Sequence, residues 1–510
     1  MVLFDTRLLL LFITAFLFLT FHLSAKISGT CKFRIFTIFN ILSIFNLYFS
    51  SPSKEAGTSN QLNLEMEDDQ REEYSRDRIS ELPDEILFTI LSFLTLKEVA
   101  SICFLSKRLK SLWPNIVTLN FDASYALCEL RRNGSLRKKK RSWYISWVNH
   151  ILELHKGSTL NEFRVCFDLD WTCRHDIDSW FHFAISKRVR KLELDFEEVA
   201  EKTWPPGLRS YSLTKSCYDY IRTPHGLSCI TLLTSLCLRF VKVSGEVLEH
   251  FLSHCPLLEK LVVEWSKNLV RLKVASNSSA LRLRYLEIHS CLALENLEIS
   301  APNLWSFRYY GQKMALHIEN APHLADVLIG GNLDDQPAFA FYPLSSYLCQ
   351  LETLTLEMSA YNMMFPNFPQ LTNLRHLVVS VYGGYDDNLL VLTSLIDASP
   401  SLNKLSLELK IWRSSTYNHA HSASNATGKP ILSLKVVEVV GFRGFKIDVD
   451  FVTYLLEHGK MIEKITINCC HPSWIGQIWE CESIKEREKA RMHALQLKSK
   501  APAITEFVVV

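Results

Sequence analysis

Two groups of cysteine and histidine residues are the first places where this sequence could do chemistry, because thiolate and imidazole side chains bind zinc. The groups are Cys166, Cys173 and His175, and Cys469, Cys470 and His471. Neither group has the close paired spacing of a structural zinc site, and adjacent cysteines in a strand point to opposite faces. The sequence therefore predicts no metal site.

Other patterns of catalytic or nucleotide-binding residues are missing. The chain contains no Gly-x-Gly-x-x-Gly, phosphate-loop or Gly-x-Ser-x-Gly sequence, so neither nucleotide binding nor acyl transfer is supported. Its carboxylates form no recognisable catalytic pair. We predict a protein that is not an enzyme and that carries no cofactor.

A basic cluster could instead bind an anion. It runs from Arg131 to Arg141 and contains seven lysines and arginines. Such a run could be a nuclear-localisation signal or a phosphate-binding patch. It could equally be a solvated loop between a strand at 116–122 and a helix at 143–154. The sequence leaves these interpretations open, and no nucleic-acid partner is predicted.

These candidates lie in a chain of 510 residues with a formal net charge of +2. That length is enough for more than one domain, and the balanced charge implies no polyelectrolyte partner for the chain as a whole. The 14 cysteines are scattered without a disulfide framework, which is typical of a protein in a reducing compartment. A nuclear or cytoplasmic location is therefore predicted.

Residues 1–65 do not fit that location. The segment from Leu8 to Ala25 is uncharged and just long enough to span a membrane, which would make the protein membrane-associated through residues 8–25. Met66, however, is followed by a polar lead, so it could be the working start, with residues 1–65 untranslated. A signal or transit peptide is a third possibility. If translated, residues 1–65 would be a hydrophobic segment and a disordered leader.

The stretch 77–114 predicts three short helices. The first begins near Pro83, whose fixed φ suits a first helical turn. Thr95 and Glu98 form a capping box for the second helix, and the third ends at Pro114. Three helices in so few residues are too small to bury their own apolar faces, so they must pack on the rest of the chain or on a partner.

The residues of this stretch closely resemble a plant-type F-box. The resemblance rests on Leu82 to Leu87, Ile90 to Leu94, and Leu105 to Arg108. It implies docking onto a Skp-type adaptor, which bridges to a cullin-based ubiquitin ligase. The residues that it implies for adaptor binding are Leu82, Pro83, Ile86, Leu87, Ile90, Leu91, Leu94, Val99 and Leu105.

Beyond this stretch the chain repeats the pattern Leu-x-x-Leu-x-Leu, whose last two apolar residues belong to a strand and point inward. The units begin at Val189, Leu233, Leu258, Leu269, Leu283, Leu294, Leu304, Leu324, Leu351, Leu374, Leu402, Leu434, Ile462 and Ile504. So many units in series predict a leucine-rich-repeat solenoid.

The spacing of these units predicts what connects them. Where units are about 25 residues apart, a helix precedes the strand, as at 245–254 and 451–458. Between Leu258 and Leu304 the units are only about ten to fifteen residues apart, so tight turns or extended segments must replace the helix. Helices are therefore expected at both ends of the solenoid and thin crossovers in its middle.

Insertions and aromatic residues offer candidates for a binding surface. The segments 332–346 and 411–430 depart from the repeat spacing, and such insertions often shape one face of a solenoid. Aromatic residues cluster in loops or at strand ends, namely Trp171, Trp180, Trp204, Trp265, Trp305, Tyr309, Tyr310, Phe339, Phe341 and Tyr342. Core packing explains most of them, and any that are exposed on one face would be natural hot spots for a protein partner. Core packing and simple variation in length are the alternative explanations.

The predicted fold class is α/β, with a small three-helix F-box at 77–122 followed by a curved leucine-rich-repeat solenoid at 123–510. The order of segments resembles the plant F-box/leucine-rich-repeat proteins, although their FBD motif is not clear at the end of this chain. The resemblance implies substrate recognition in a Skp–cullin–F-box ubiquitin ligase, with the repeats binding an unidentified target protein. The alternatives are a ligase-independent scaffold and a membrane-tethered interaction module.

Overall fold

The structure is a computed structural model. It describes residues 82–103, 107–197, 209–275, 281–331, 342–359, 370–383, 389–411, 428–472, 484–502 and 504–510. The chain divides into two compact units, with a boundary between Val117 and Thr118.

The described residues of the first unit, 82–103 and 107–117, are mainly helical, as the sequence predicts. We call them the helical unit. Its helices are α1 (Asp84–Phe93), α2 (Leu96–Cys103) and α3 (Lys107–Leu112), followed by a 3-10 turn at Trp113–Asn115. Helix α3 contacts both α1 and α2.

The second unit is built on parallel strands. The strands are β1 (Thr118–Asp122), β2 (Glu162–Cys166), β3 (Lys191–Asp195), β4 (Ser235–Arg239), β5 (Lys260–Glu264), β6 (Arg271–Val274), β7 (Tyr285–His289), β8 (Asn296–Ser300), β9 (Ser306–Gly311), β10 (Ala315–Glu319), β11 (Asp326–Gly331), β12 (Thr353–Ser359), β13 (His376–Gly383), β14 (Lys404–Ile411), β15 (Val436–Val440), β16 (Lys464–Asn468) and β17 (Glu506–Val509).

The helices of the second unit alternate with strands along the chain. They are α4 (Ser124–Arg132), α5 (Arg137–Leu154), α6 (Arg174–Ser186), α7 (Lys215–Arg222), α8 (Pro224–Ile230), α9 (Gly245–His254), α10 (Leu392–Asp397), α11 (Lys446–His458) and α12 (Ile484–Lys498). Short 3-10 turns are present at Gly134–Leu136, Trp171–Cys173, Leu348–Gln350 and Leu389–Val391.

Fourteen strands form one sheet in the order β1-β2-β3-β4-β5-β7-β9-β11-β12-β13-β14-β15-β16-β17. The register aligns one buried apolar residue of each strand with the next, from Leu119 and Phe163 at one end to Phe507 at the other. A second buried ladder lies two residues further along the strands, from Phe121 and Val165 at one end to Ile467 near the other. The inward-pointing pair of each repeat is thus a continuous core, and the α/β leucine-rich-repeat architecture is confirmed.

Strand β1 belongs to this sheet, because Thr118 to Asp122 pair in parallel with Glu162 to Cys166. The F-box range taken from the sequence, 77–122, includes that strand. Residues Ile116, Leu119 and Phe121 have the apolar spacing of a repeat unit, as do Leu160, Phe163 and Val165. The sequence predicts the first repeat unit at Val189, but two further repeats precede it.

The closely spaced units in the middle of the chain alternate between two sheets. Strands β6, β8 and β10 form a separate sheet of three strands, while β5, β7, β9 and β11 stay in the large sheet. Adjacent parallel strands need a long crossover between them, and here the crossover is itself a strand. Extended segments thus replace helices in the middle, as predicted. The units at Leu269 and Leu294, however, are crossovers and not members of the large sheet.

Helix α9 covers one edge of the three-stranded sheet. The carboxylate of Glu249 accepts a hydrogen bond from the backbone N–H of Lys273 at 2.9 Å. A Cβ at Gly245 would lie 1.9 Å from the carbonyl oxygen of Arg271, so only glycine permits the approach. The helical crossovers and the strand crossovers meet at this contact.

Candidate functional site

The helical unit is held in shape by its helix ends. The backbone N–H groups of Ile86 and Leu87 each donate to the carbonyl of Pro83 at 3.1 Å, which starts α1 where the sequence predicts. The backbone N–H of Thr95 donates to Glu98 Oε2 at 2.7 Å, and the N–H of Glu98 donates to Thr95 Oγ1 at 3.3 Å. The predicted capping box is confirmed, and it fixes the start of α2.

The structure divides the residues predicted to bind an adaptor into two sets. Leu87, Leu91 and Val99 are buried, as are Leu96, Leu109 and Leu112, which the prediction did not include. Leu82, Ile90 and Leu94 are partly exposed, while Pro83 and Ile86 are exposed, Ile86 to 42%. Leu105 lies outside the described residues. The first set has its side chains inside the folded chain, and the second set presents apolar surface outward.

The outer face of the large sheet is the second candidate surface. In the part of the large sheet that the structure describes, thirteen strands each place one outward residue, near the C-terminal end of the strand, in a single row, which we call the C-terminal row. It consists of Asp122, Cys166, Asp195, Arg239, Glu264, His289, Tyr310, Gly330, Glu357, Ser380, Glu408, Val440 and Asn468. The register brings these residues together across strands that are far apart in the sequence.

An ion-pair network occupies the first five strands of this face. Arg164 pairs with Asp122 at 2.7 Å and with Glu193 at 3.0 Å. Arg239 pairs with Glu193 and Glu264, each at 2.7 Å. Each guanidinium is thus shared among several carboxylates. Burial, with Glu193 and Glu197 nearby, raises the pKa of Asp195 to about 6.

Aromatic side chains follow along the same face. The rings of His289 and Tyr310 stack with centroids 4.6 Å apart and planes 11° apart. Gly330 has no side chain, and a Cβ there would lie 2.5 Å from Tyr310 Cδ2 and 2.8 Å from Glu357 Cβ. The Tyr310 ring therefore lies across the glycine toward Glu357. Burial, with Tyr382 and Glu357 nearby, raises the pKa of Tyr310 to about 12.

A lysine already lies on this aromatic surface. Lys410 Nζ is 4.5 Å from the ring centre of Tyr382 and donates to its hydroxyl at 2.8 Å. The hydroxyl of Tyr382 donates to Glu357 Oε2 at 3.2 Å, and the carboxylate lies 3.7 Å from Lys410 Nζ. Tyrosine and glutamate together hold an ammonium group here.

The residues considered for metal binding are spread over the fold. Cys166 is on the outer face in β2, and burial raises the pKa of its thiol to about 12, which favours the thiol over the metal-binding thiolate. Cys173 is buried in a 3-10 turn, and His175 is exposed. In the part of the chain that the structure describes, no three His, Cys, Asp or Glu side chains are grouped as metal ligands.

The basic cluster is helical and largely paired, so it is not the loop that the sequence allowed. Arg137 and Arg141 donate to the buried carboxylate of Asp168 at 2.9 and 2.6 Å, and Arg141 also pairs with Asp170 at 2.6 Å. Lys140 pairs with Glu129. These buried carboxylates have a structural role. The sequence contains no signal for them, because their partners lie some thirty residues away.

Of the aromatic residues that the sequence singles out, Trp171 and Trp305 are 54% and 52% exposed, whereas Trp180 and Tyr309 are buried. Much of 332–346 and 411–430, and all of residues 1–65, lie outside the described residues. Among the helices that the structure describes, none is long and apolar enough to cross a membrane.

Comparisons with known proteins agree with this architecture. The family described as "At1g61320/AtMIF1, LRR domain" matches residues 151–508, and the F-box domain matches residues 79–117. The chain belongs to the plant F-box/leucine-rich-repeat family. The F-box match covers the helical unit, and the repeat match begins in α5 and extends into β17.

The chain is also similar to F-box proteins of Arabidopsis thaliana. The F-box/FBD/LRR-repeat protein At4g26340 is 26% identical over 75% of this chain and 90% of its own length. The FBD-associated F-box protein At4g10400 is 26% identical over 77% of this chain and 92% of its own length. The F-box/LRR-repeat protein At3g03360 is 30% identical over 46% of this chain and 47% of its own length.

Proposed function

We propose that this F-box/leucine-rich-repeat protein is the substrate-recognition subunit of a Skp–cullin–F-box ubiquitin ligase. The helical unit binds a Skp-type adaptor, which connects it to a cullin, and the outer face of the sheet binds a target protein. The observation that carries the proposal is an F-box domain whose partly or fully exposed apolar residues lie on its first helix and its flanks.

The exposed set gives the adaptor a defined face. Leu82, Pro83, Ile86, Ile90 and Leu94 would be covered by the adaptor, whereas Leu87, Leu91 and Val99 hold the helices together. Complete burial of one large aliphatic side chain contributes on the order of 2 kcal/mol, so several of them together support a stable complex.

The proposed role requires no catalysis by this chain. Holding a target beside the ubiquitin-loading machinery raises its effective concentration there, which depends on rigid positioning and not on a reactive group. The continuous parallel sheet supplies a rigid platform. A nuclear or cytoplasmic location goes with this role, and the described cysteines form no disulfides among themselves, which fits those reducing compartments.

Co-purification of the full chain with a Skp-type adaptor tests the proposal. We expect stoichiometric recovery for the unmodified protein and loss of the adaptor for Leu82→Ala/Pro83→Ala/Ile86→Ala, with an unchanged circular dichroism spectrum. The matched control is Leu432→Ala/Ile504→Ala, which shortens side chains 67% and 78% exposed in the repeat unit. Adaptor recovery that survives the triple substitution would count against the assigned face.

Leu87→Ala separates the two sets of F-box residues. This side chain is 1% exposed, so its truncation should destabilise the helical unit by about 2–5 kcal/mol instead of removing a contact. Absence of adaptor binding by the well-folded unmodified protein would favour a ligase-independent scaffold.

A further inference from the structure

The C-terminal row carries an excess of negative charge. Its charged residues, histidine apart, are Arg239 and the carboxylates of Asp122, Asp195, Glu264, Glu357 and Glu408. The one guanidinium is already shared, since Arg239 lies within 4 Å of Glu193, Asp195 and Glu264. Arg164 and Lys410, at neighbouring outward positions, also pair with Asp122 and Glu357. Even with these two, carboxylates outnumber cations here, which favours a partner that brings further cations.

The same face receives cations on its aromatic rings. Lys260 Nζ is 4.8 Å from the ring centre of Tyr285, and Lys410 Nζ is 4.5 Å from that of Tyr382. These contacts are cation–π interactions, which occur where an ammonium or guanidinium group lies over a tyrosine ring. The outer face thus already places ammonium groups over tyrosine rings.

His289 shares β7 with Tyr285, and its stacking partner Tyr310 is on β9, between the strands that carry Tyr285 and Tyr382. Within the described residues, no lysine or arginine lies over either ring. Tyr310 is two strands from Glu264 and two strands from Glu357, about 10 Å in each direction at the usual strand separation. A cation above Tyr310 would lie between two carboxylates.

We infer that the C-terminal row binds a basic, extended segment of a target protein and that one lysine or arginine of this segment packs on Tyr310. This inference rests on the proposed function, since it specifies the target that the outer face receives. From Asp195 in β3 to Glu408 in β14 there are eight strand intervals, or about 38 Å along the sheet. An extended peptide of about 12 residues spans that distance.

Selection from a random 12-residue peptide display library tests the inference. The full chain is the bait, and each enriched peptide is then synthesised and its Kd measured by fluorescence anisotropy. We expect enriched peptides to contain several lysines or arginines and to bind more weakly as salt is raised. Enrichment of neutral or acidic peptides, or no enrichment, would overturn the inference.

Variants show whether the row itself is responsible. Tyr310→Ala and Glu264→Gln/Glu357→Gln should each weaken peptide binding at least tenfold. The control, Glu298→Gln/Glu319→Gln, removes the same charge from exposed positions on the three-stranded sheet and should change the Kd less than twofold. Equal weakening by both double variants would mean non-specific attraction and would also overturn the inference.

Adaptor recovery separates this test from that of the proposed function. All of these variants keep the F-box residues, so each should co-purify with the adaptor like the unmodified protein. A protein that binds the adaptor but selects no basic peptide would refute only the inference. A protein that selects basic peptides through Tyr310 but binds no adaptor would refute the ligase role and leave the peptide site in place.

Discussion

Thr95 and Glu98 cap each other at the start of α2. Each supplies a side-chain oxygen that accepts the other's backbone N–H, and the hydroxyl of Thr95 also donates to the Glu98 carboxylate at 2.8 Å. These bonds satisfy two N–H groups that a helix cannot pair internally. The short helical unit depends on such local bonds because it contains few buried side chains.

Replacing Thr95 by alanine should destabilise α2. We expect the free energy of local opening to fall by about 1 kcal/mol, because Glu98 N–H loses its acceptor. Hydrogen exchange of the α2 amides measures this change. Thr89→Ala is the control, since the hydroxyl of Thr89 bonds within α1 to the carbonyl of Glu85 and caps nothing. Equally faster α2 exchange in both variants would contradict the prediction.

Asp168→Asn should strongly destabilise the repeat unit. The carboxylate is fully buried and accepts from both Arg137 and Arg141, so its neutralisation leaves two guanidinium groups without their shared counter-ion. A loss of about 3–5 kcal/mol is expected on chemical denaturation. Glu197→Gln removes the partner of Arg131 from a pair that is nearly half exposed and should cost less than about 1 kcal/mol. Similar losses for both variants would show that burial is not the cause.

Asp195 predicts a dependence of stability on pH. Its pKa rises from 3.8 in the reference state to about 6 in the fold, so the folded chain binds more protons between these values. Stability from this group is therefore complete below about pH 4 and is lost as the pH rises through about 6. Asp195→Asn should match the unmodified protein at pH 4 and exceed it at pH 7 by on the order of 2–3 kcal/mol.

Denaturant titrations of the two proteins from pH 4 to 7 measure this difference. Glu506→Gln changes a carboxylate at the exposed rim of β17 and serves as the control. A stability difference between Asp195→Asn and the unmodified protein that does not grow with pH would refute the assignment.

Gly330→Ala should strain the outer face at one position. The added methyl group would meet the Tyr310 ring and Glu357, which costs about 1–3 kcal/mol when neighbours must move. Combining it with Tyr310→Ala should recover much of that loss, because the ring is the nearest obstacle. A double-mutant cycle from thermal or denaturant unfolding gives the coupling energy. Additive losses would mean that the ring does not occupy the space above Gly330.

The sequence was sufficient for the repeats because apolar spacing is a local property. Every repeat unit identified from the sequence corresponds to a strand of the structure. Strand β10 was missed because Lys313 stands where the pattern has an apolar residue. The sequence also predicts the strand at 116–122, which contains β1, but its spacing is not among the repeat units identified there.

Pairing between strands could not be predicted from the same signal. The sequence pattern of β6 and β8 is the same as that of β5 and β7, since all four strands have a buried side. The pattern therefore does not show that the strands alternate between two sheets. The sequence does not indicate the ion-pair partners of Asp168 either, because residues that form a buried ion pair can be far apart along the chain. The division of the F-box residues into exposed and buried sets required the packing of α1 against its neighbours.

The unbroken register has a consequence for how such a protein can diversify. Each strand from β1 to β16 in the large sheet contributes one residue to the C-terminal row, while the core ladders depend on the alternate positions. Mutations in the row can therefore alter recognition one strand at a time without disturbing the interior. Crossovers can lengthen or switch between helix and strand without shifting the row. Evolution can vary the surface and the scaffold of this fold almost independently.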